Sequence, residues 1–237
     1  MAKRQTNEQR ELEKKSAAIL GHHVSAEKGA ALLAYTALAC LVPMALGLRL
    51  WQDIPLVVET GLTGPNGQDD SLPRWGLVFL LPGIFLLLDL INHAQLRRFQ
   101  RAETVPPRYT RLMGRWGFPL VELPLCAWAI PSGAGRPELT GALLPLWLAG
   151  LALMIAGGCL LDCRRGDRFT LDWLPGMDDP ASWHAVHRLA GFSLLTGGVL
   201  LLFAAALAPA FPLVAALLLL SMGTPVLYAL LRRRGQG

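Results

Sequence analysis

Six long apolar runs take up most of this chain, and they constrain its fold more than any other feature. The runs are 29–51, 76–93, 116–131, 140–162, 189–209 and 212–231. A bilayer core about 30 Å thick needs about 20 helical residues to cross it, so each run is long enough, or nearly so, to span a membrane. The sequence therefore predicts an all-α fold, a polytopic membrane bundle of six transmembrane helices.

The basic residues fall in alternate gaps between these runs. Nineteen of the 22 lysines and arginines lie in the N-terminal segment, in the gaps after the second and fourth runs, and in the C-terminal tail, counting Arg188 at the start of the fifth run. The other sides of the runs hold only Arg49, Arg74 and Arg136. Because loops rich in lysine and arginine stay in the cytoplasm, this asymmetry predicts a multi-pass protein of the bacterial plasma membrane with both termini cytoplasmic. The net charge of +5 then reflects loops facing an anionic leaflet, and no nucleic-acid partner is predicted.

The runs divide the chain into three parts. Residues 1–28 are a polar N-terminal segment, predicted to form a short cytosolic helix. Residues 29–131 hold the first three helices and a long outer loop, 52–74, which is acidic and rich in glycine and proline. Residues 132–237 hold the last three helices. With 53% hydrophobic and 16% charged residues, the chain has no room for a large soluble domain.

Ionisable side chains inside the apolar runs are costly in lipid, so each calls for a partner or a function. The predicted inner polar cluster lies in the cytosolic half of the bundle and consists of Asp89, His93, Glu122 and Asp162. His187 and Arg188, at the start of the fifth run, are expected at the same depth.

This inner polar cluster has three interpretations. It could be a network of ion pairs and hydrogen bonds that joins the helices, or a functional cavity or proton-sensitive site. Asp89 with His93, and His184 with His187, also have the helical spacing of metal ligands. No HExxH, CxxC or nucleophile motif accompanies them, so we predict no metal, no cofactor and no catalytic residue, and the protein is not expected to be an enzyme.

Two short segments near the fifth run form the most specific pattern. They are GDRFTL at 166–171 and WHAVHRLAG at 183–191. Together they resemble the signature of the SdpI-like bacterial immunity proteins, in which a G-x-R segment precedes W-x-x-x-H-R-x-x-G. The residues that carry this resemblance are Gly166, Arg168, Trp183, His187, Arg188 and Gly191. The family's amino-terminal pattern, a loop histidine followed by a glycine, falls on Glu59 and Gly64 of the outer loop.

The resemblance implies a six-span protein that protects its own cell from a secreted, membrane-active peptide toxin. It also implies a signalling role, in which the toxin-bound protein holds a small cytosolic repressor at the membrane. The expected partners are thus membrane lipids, a peptide toxin and a repressor. From the residues alone two alternatives stay open: a small proton-coupled transporter that uses Asp89, Glu122 and His187, and an intramembrane enzyme.

Overall fold

Each apolar run forms a helix in the computed structural model, which describes residues 26–63, 69–102, 110, 113–163, 167, 170–174, 177 and 179–234. In these residues the helices are α1 Ala26–Arg49, α2 Leu81–Arg101, α3 Gly117–Gly133, α4 Glu138–Asp162, α5 Pro180–Leu207 and α6 Phe211–Arg234. A π-helical turn, Gly76–Leu80, leads directly into α2, and the Leu81 N–H closes it on the Gly76 carbonyl. Most of the predicted N-terminal segment lies outside the described residues.

Five helices of the described chain are long and apolar enough to cross a membrane: α1, α2 with its π-helical turn, α4, α5 and α6. The third helix, α3, has 17 residues, fewer than the about 20 that a full crossing needs. Large apolar side chains point outward from these helices, including Leu87 at 57% exposure and Leu219 at 74%. Such a surface requires lipid rather than water around it, and the predicted helical membrane protein is confirmed at this level.

The outer loop departs from the predicted all-α fold. It forms an antiparallel hairpin of β1, Val57–Thr63, and β2, Asp69–Pro73, in which Val58 faces Leu72 and Glu59 faces Ser71. The glycines and prolines of this loop predicted irregular turns. Val58 and Leu72 instead pack against the helical core, and this burial stabilises a strand pair that local propensity alone does not favour.

Helices α4 and α5 are in backbone contact. A Cβ atom added at Gly157 would lie 2.6 Å from the Gly191 carbonyl oxygen, and one added at Gly198 would lie 2.5 Å from the Gly150 carbonyl oxygen. Small residues at a helix interface allow this approach in membranes. Helix α1 packs against α2, α3 and α5, whereas α6 packs chiefly against α5 at the edge of the bundle.

The bundle has two distinct ends. We call one the hairpin end, because it carries β1 and β2, and the other the basic end, because it carries Lys28, Arg97 and Arg115. At the basic end the Lys28 ammonium donates to the Leu161 carbonyl, at 2.8 Å, which joins the start of α1 to the last turn of α4. At the hairpin end the Arg49 guanidinium donates to the Ala206 carbonyl, at 2.9 Å, which joins the end of α1 to the last turn of α5.

Candidate functional site

The N-terminus of α5 is fixed by a capping residue. The Asp179 carboxylate accepts hydrogen bonds from the Ser182 hydroxyl at 2.7 Å, the Ser182 N–H at 2.8 Å and the Ala181 N–H at 3.3 Å. Aspartate at this position satisfies backbone donors that the helix leaves unpaired. The bonds from Ser182, and then that from Ala181, hold the pKa of Asp179 below its usual range, so the cap is ionised near neutral pH.

One turn further into α5, Trp183 and His187 form a stacked pair. Their spacing of four residues puts them on one face of the helix, with ring centroids 3.9 Å apart and planes inclined by 24°. Both side chains are buried, each with 2% exposure. His187 Nδ1 lies 2.9 Å from the Trp183 carbonyl, which assigns the ring proton to Nδ1 and leaves Nε2 as an acceptor.

This pair holds the preceding loop against α5. The Leu171 backbone N–H donates to His187 Nε2 at 2.9 Å, and the Trp183 indole N–H donates to the Asp172 carboxylate. The Thr170 hydroxyl donates to the same carboxylate at 2.9 Å. We call this arrangement the loop clamp: residues 170–172 bonded to Trp183 and His187.

A small apolar cluster extends the loop clamp to α6. Leu174 and Met177 of the loop pack with Trp183 and Val186 of α5 and with Ala229 of α6. The described part of this loop is therefore attached to two helices by side-chain burial as well as by hydrogen bonds. Burying an apolar side chain of this size contributes about 1.5–3 kcal/mol to the free energy of folding, so these contacts stabilise the packing of the loop on the two helices.

The residues of the motif at 166–191 have different roles. Trp183 and His187 form the loop clamp, whereas the Arg188 side chain is exposed. Gly191 lies against α4, where an added Cβ would meet Leu161 at 2.6 Å. Gly166 and Arg168 lie outside the described residues.

A second polar group lies between α1 and α2. The Thr36 hydroxyl donates to Asp89 Oδ2 at 2.8 Å and lies 3.2 Å from His93 Nε2. His93 Nε2 is 3.7 Å from Asp89 Oδ1, an ion-pair distance but longer than a hydrogen bond. Thr36 and Asp89 are fully buried, and His93 is 2% exposed. The sequence spacing of Asp89 and His93 predicted that these two side chains meet. Nothing in the sequence indicated that Thr36 would contact both of them.

Glu122 of α3 lies beside this group and is fully buried. Among the described residues neither of its carboxylate oxygens has a hydrogen-bond partner of good geometry. The Cys40 thiol of α1 is its polar neighbour, and Asp89 and Cys126 interact with it electrostatically. A buried carboxylate is expensive unless it is paired or protonated, so this position of the bundle demands either a proton or a partner.

Asp162 and His187 are separate from the group around Asp89. Asp162 interacts electrostatically with Arg115, a residue that the sequence marked only as one of the basic residues of a loop. Arg115 in turn contacts His93 through a backbone hydrogen bond. The predicted inner polar cluster is therefore two groups joined by Arg115, and His187 belongs to the loop clamp instead.

Three basic residues of the sequence lie outside the segments that hold the other lysines and arginines. All three are found at the hairpin end. Arg49 caps α5, as described above. Arg74 lies over the Trp51 ring at 4.3 Å and donates to the Trp51 carbonyl at 2.9 Å. Arg136 forms an ion pair with Asp53 at 3.1 Å. Each of the three thus has a structural partner at this end. Glu59 is exposed on β1, and Gly64 lies outside the described residues.

The described residues hold no group of three or more histidine, cysteine or acidic side chains arranged to bind a metal. Cys163, a free cysteine directly after α4, donates its thiol hydrogen to the Leu160 carbonyl at 3.1 Å. Burial raises the pKa of the Cys163 thiol to about 11. It is therefore a protonated thiol near neutral pH, not a reactive thiolate.

Comparison with models of protein families, with curated proteins and with solved structures gives no match. The fold alone defines the class: a membrane-embedded helical protein, with five helices of the described residues long and apolar enough to cross a bilayer, a small β-hairpin at one end of the bundle and a clamped loop at the other.

Proposed function

We propose that this chain is a non-enzymatic immunity and sensor protein of the bacterial plasma membrane, with both termini and the basic end in the cytoplasm and six membrane crossings. It would protect its cell from a secreted, membrane-active peptide toxin and hold a cytosolic repressor in the toxin-bound state. The loop clamp is the observation that carries this proposal. Trp183 and His187, two residues of the SdpI-like motif, are the side chains that bond the loop to α5.

A clamped loop suits a sensor because it has a defined closed state. Two hydrogen bonds and one apolar cluster hold residues 170–174 and Met177 to the start of α5, and the bond from Thr170 to Asp172 braces the loop internally. Loss of these contacts would expose the Trp183 face and the loop backbone to a cytosolic partner. A ligand shifts such an equilibrium only if it binds the two states with different affinity.

Helix α5 offers a physical connection between the two ends. It runs unbroken for 28 residues, Pro180–Leu207, from the loop clamp to the Ala206 carbonyl that Arg49 bonds at the hairpin end. A peptide that displaced the acidic hairpin or the end of α1 could shift α5 as a unit, and the loop clamp would sense the shift.

The test is protection of a toxin-sensitive host that expresses this chain and is challenged with membrane-active peptides encoded near its gene. We expect wild type to protect and His187→Ala to lose protection at equal membrane expression. His184→Ala is the matched control, because His184 lies on the same helix turn, is exposed, touches Trp183 only edge-on and makes no hydrogen bond to the described loop residues. Full protection by His187→Ala would refute the role of the loop clamp.

A second candidate function, a small proton-coupled transporter, is favoured by Glu122. Its two oxygens are buried with no hydrogen-bond partner of good geometry among the described residues, and Asp89 interacts with it electrostatically. Transporters place such carboxylates in their proton pathways. Proton flux in liposomes should then disappear in Glu122→Gln. Equal flux in wild type, variant and empty liposomes would exclude this candidate.

A further inference from the structure

An open groove of about 540 Å³ lies between α1 and α2 at the basic end. Its walls come from Leu33 of α1 and from Leu90, Ala94, Arg97 and Arg98 of α2. Along α2 the lining changes from apolar to basic within seven residues, which is about 10 Å at 1.5 Å per residue. The groove therefore has an apolar part that faces the hydrocarbon region and a cationic part close to the helix end.

The arginines of the cationic part of the groove form no ion pair within the described chain. The ion pairs among the described residues join His93 to Asp89 and Arg136 to Asp53, so neither Arg97 nor Arg98 belongs to one. Arg97 Nη2 is buried and has no hydrogen-bond partner within the described chain. A guanidinium without an acceptor is costly, and an anion bound in the groove would pair with its charge.

From this combination we propose that the groove binds one anionic phospholipid, with its phosphate on Arg97 and Arg98 and an acyl chain along Leu33, Leu90 and Ala94. Guanidinium groups bind phosphate with short, charge-assisted hydrogen bonds, and basic pockets between transmembrane helices accept anionic headgroups. A soluble phosphate could satisfy the arginines but would leave the apolar wall uncovered. Lipid matches both parts of the groove, and the inference does not depend on the immunity function.

The test uses the purified full chain in detergent with two lipids of the same acyl chains, dioleoylphosphatidylglycerol and dioleoylphosphatidylcholine. Native mass spectrometry should show one phosphatidylglycerol molecule bound to the protein at lipid concentrations at which phosphatidylcholine does not stay bound. Replacing both arginines, Arg97→Gln with Arg98→Gln, should weaken phosphatidylglycerol binding about 30-fold, because each basic residue near the surface contributes about a factor of five. Arg232→Gln with Arg233→Gln is the charge-matched control on α6 and should leave binding unchanged.

A second variant keeps the charges and tests the apolar part. Ala94 is exposed in the groove, so Ala94→Phe should fill it and weaken lipid binding without disturbing the core. Equal retention of the two lipids, or unchanged binding in either groove variant, would overturn the proposal. Displacement of the lipid by millimolar sn-glycerol 3-phosphate would do so as well, because it would assign the site to a soluble phosphate ester.

Discussion

The contact between α4 and α5 gives the sharpest test of the packing, through Gly157→Ala. An alanine Cβ there would lie 2.6 Å from the Gly191 carbonyl oxygen and 2.9 Å from the Leu195 nitrogen. Both atoms belong to the α5 backbone, which cannot rotate away as a side chain would. Real Cβ contacts are essentially never shorter than 3.0 Å, so the helices must separate by the difference, about 0.4 Å. A gap of that order forfeits about a quarter of the attraction between each pair of facing atoms.

Forcing a methyl group into such an interface destabilises proteins by about 1–3 kcal/mol. For a chain of this size 1 kcal/mol corresponds to about 2–4 °C in Tm, so Gly157→Ala should lower the Tm in detergent by about 2–12 °C. Gly141→Ala, on the same helix, is the matched control, because an added Cβ there meets nothing within 4 Å. That variant should keep or raise the Tm, since alanine favours a helix over glycine by up to about 1 kcal/mol. Equal Tm values for the two variants would refute the backbone contact.

Two further predictions concern polar groups. Thr36→Val removes the one short hydrogen bond to Asp89 among the described residues. It should lower the free energy of unfolding by about 1–3 kcal/mol, which thermal unfolding would measure. An unchanged free energy would mean that Asp89 has another hydrogen-bond donor. The pKa of Asp179 is lowered in the fold, so the stability it contributes is complete above the unfolded value of 3.8 and is lost as the pH falls through the lower, folded value. Hydrogen exchange at Ala181 and Ser182, corrected for intrinsic rates, should therefore stay slow from pH 7 to pH 5 and accelerate in acid. In Asp179→Asn the acceleration should disappear because the amide still caps the helix, and acceleration equal to wild type would assign it to another group.

Much of the helical fold could be predicted from the sequence, because membrane helices appear in a sequence as long, nearly uncharged apolar runs. The 140–162 run, for example, matches α4, Glu138–Asp162, within two residues. The hairpin could not be predicted in the same way. Its strands are short and rich in turn formers, and they are stabilised by the burial of Val58 and Leu72 against residues distant in sequence.

The candidate sites show a similar division between local and distant contacts. The contact of Asp89 with His93 follows from helical spacing and was predictable. The sequence predicted His187 at the same membrane depth as Asp89 and His93. Equal depth does not fix the side of the bundle on which a residue lies. The partners Thr36 and Arg115 are brought in by helix packing, and neither had a pattern of its own in the sequence.

The proposed sensor depends most on how the chain crosses the membrane, with α3 as a full crossing despite its 17 residues. C-terminal reporter fusions after Val105, Gly135 and Pro175 test this directly, because they bracket α3 and α4. We expect cytoplasmic reporter activity after Val105 and Pro175 and extracytoplasmic activity after Gly135. Cytoplasmic activity after Gly135, on the same side as Val105, would mean that α3 does not cross and would contradict both the six-span topology and the sensor built on it.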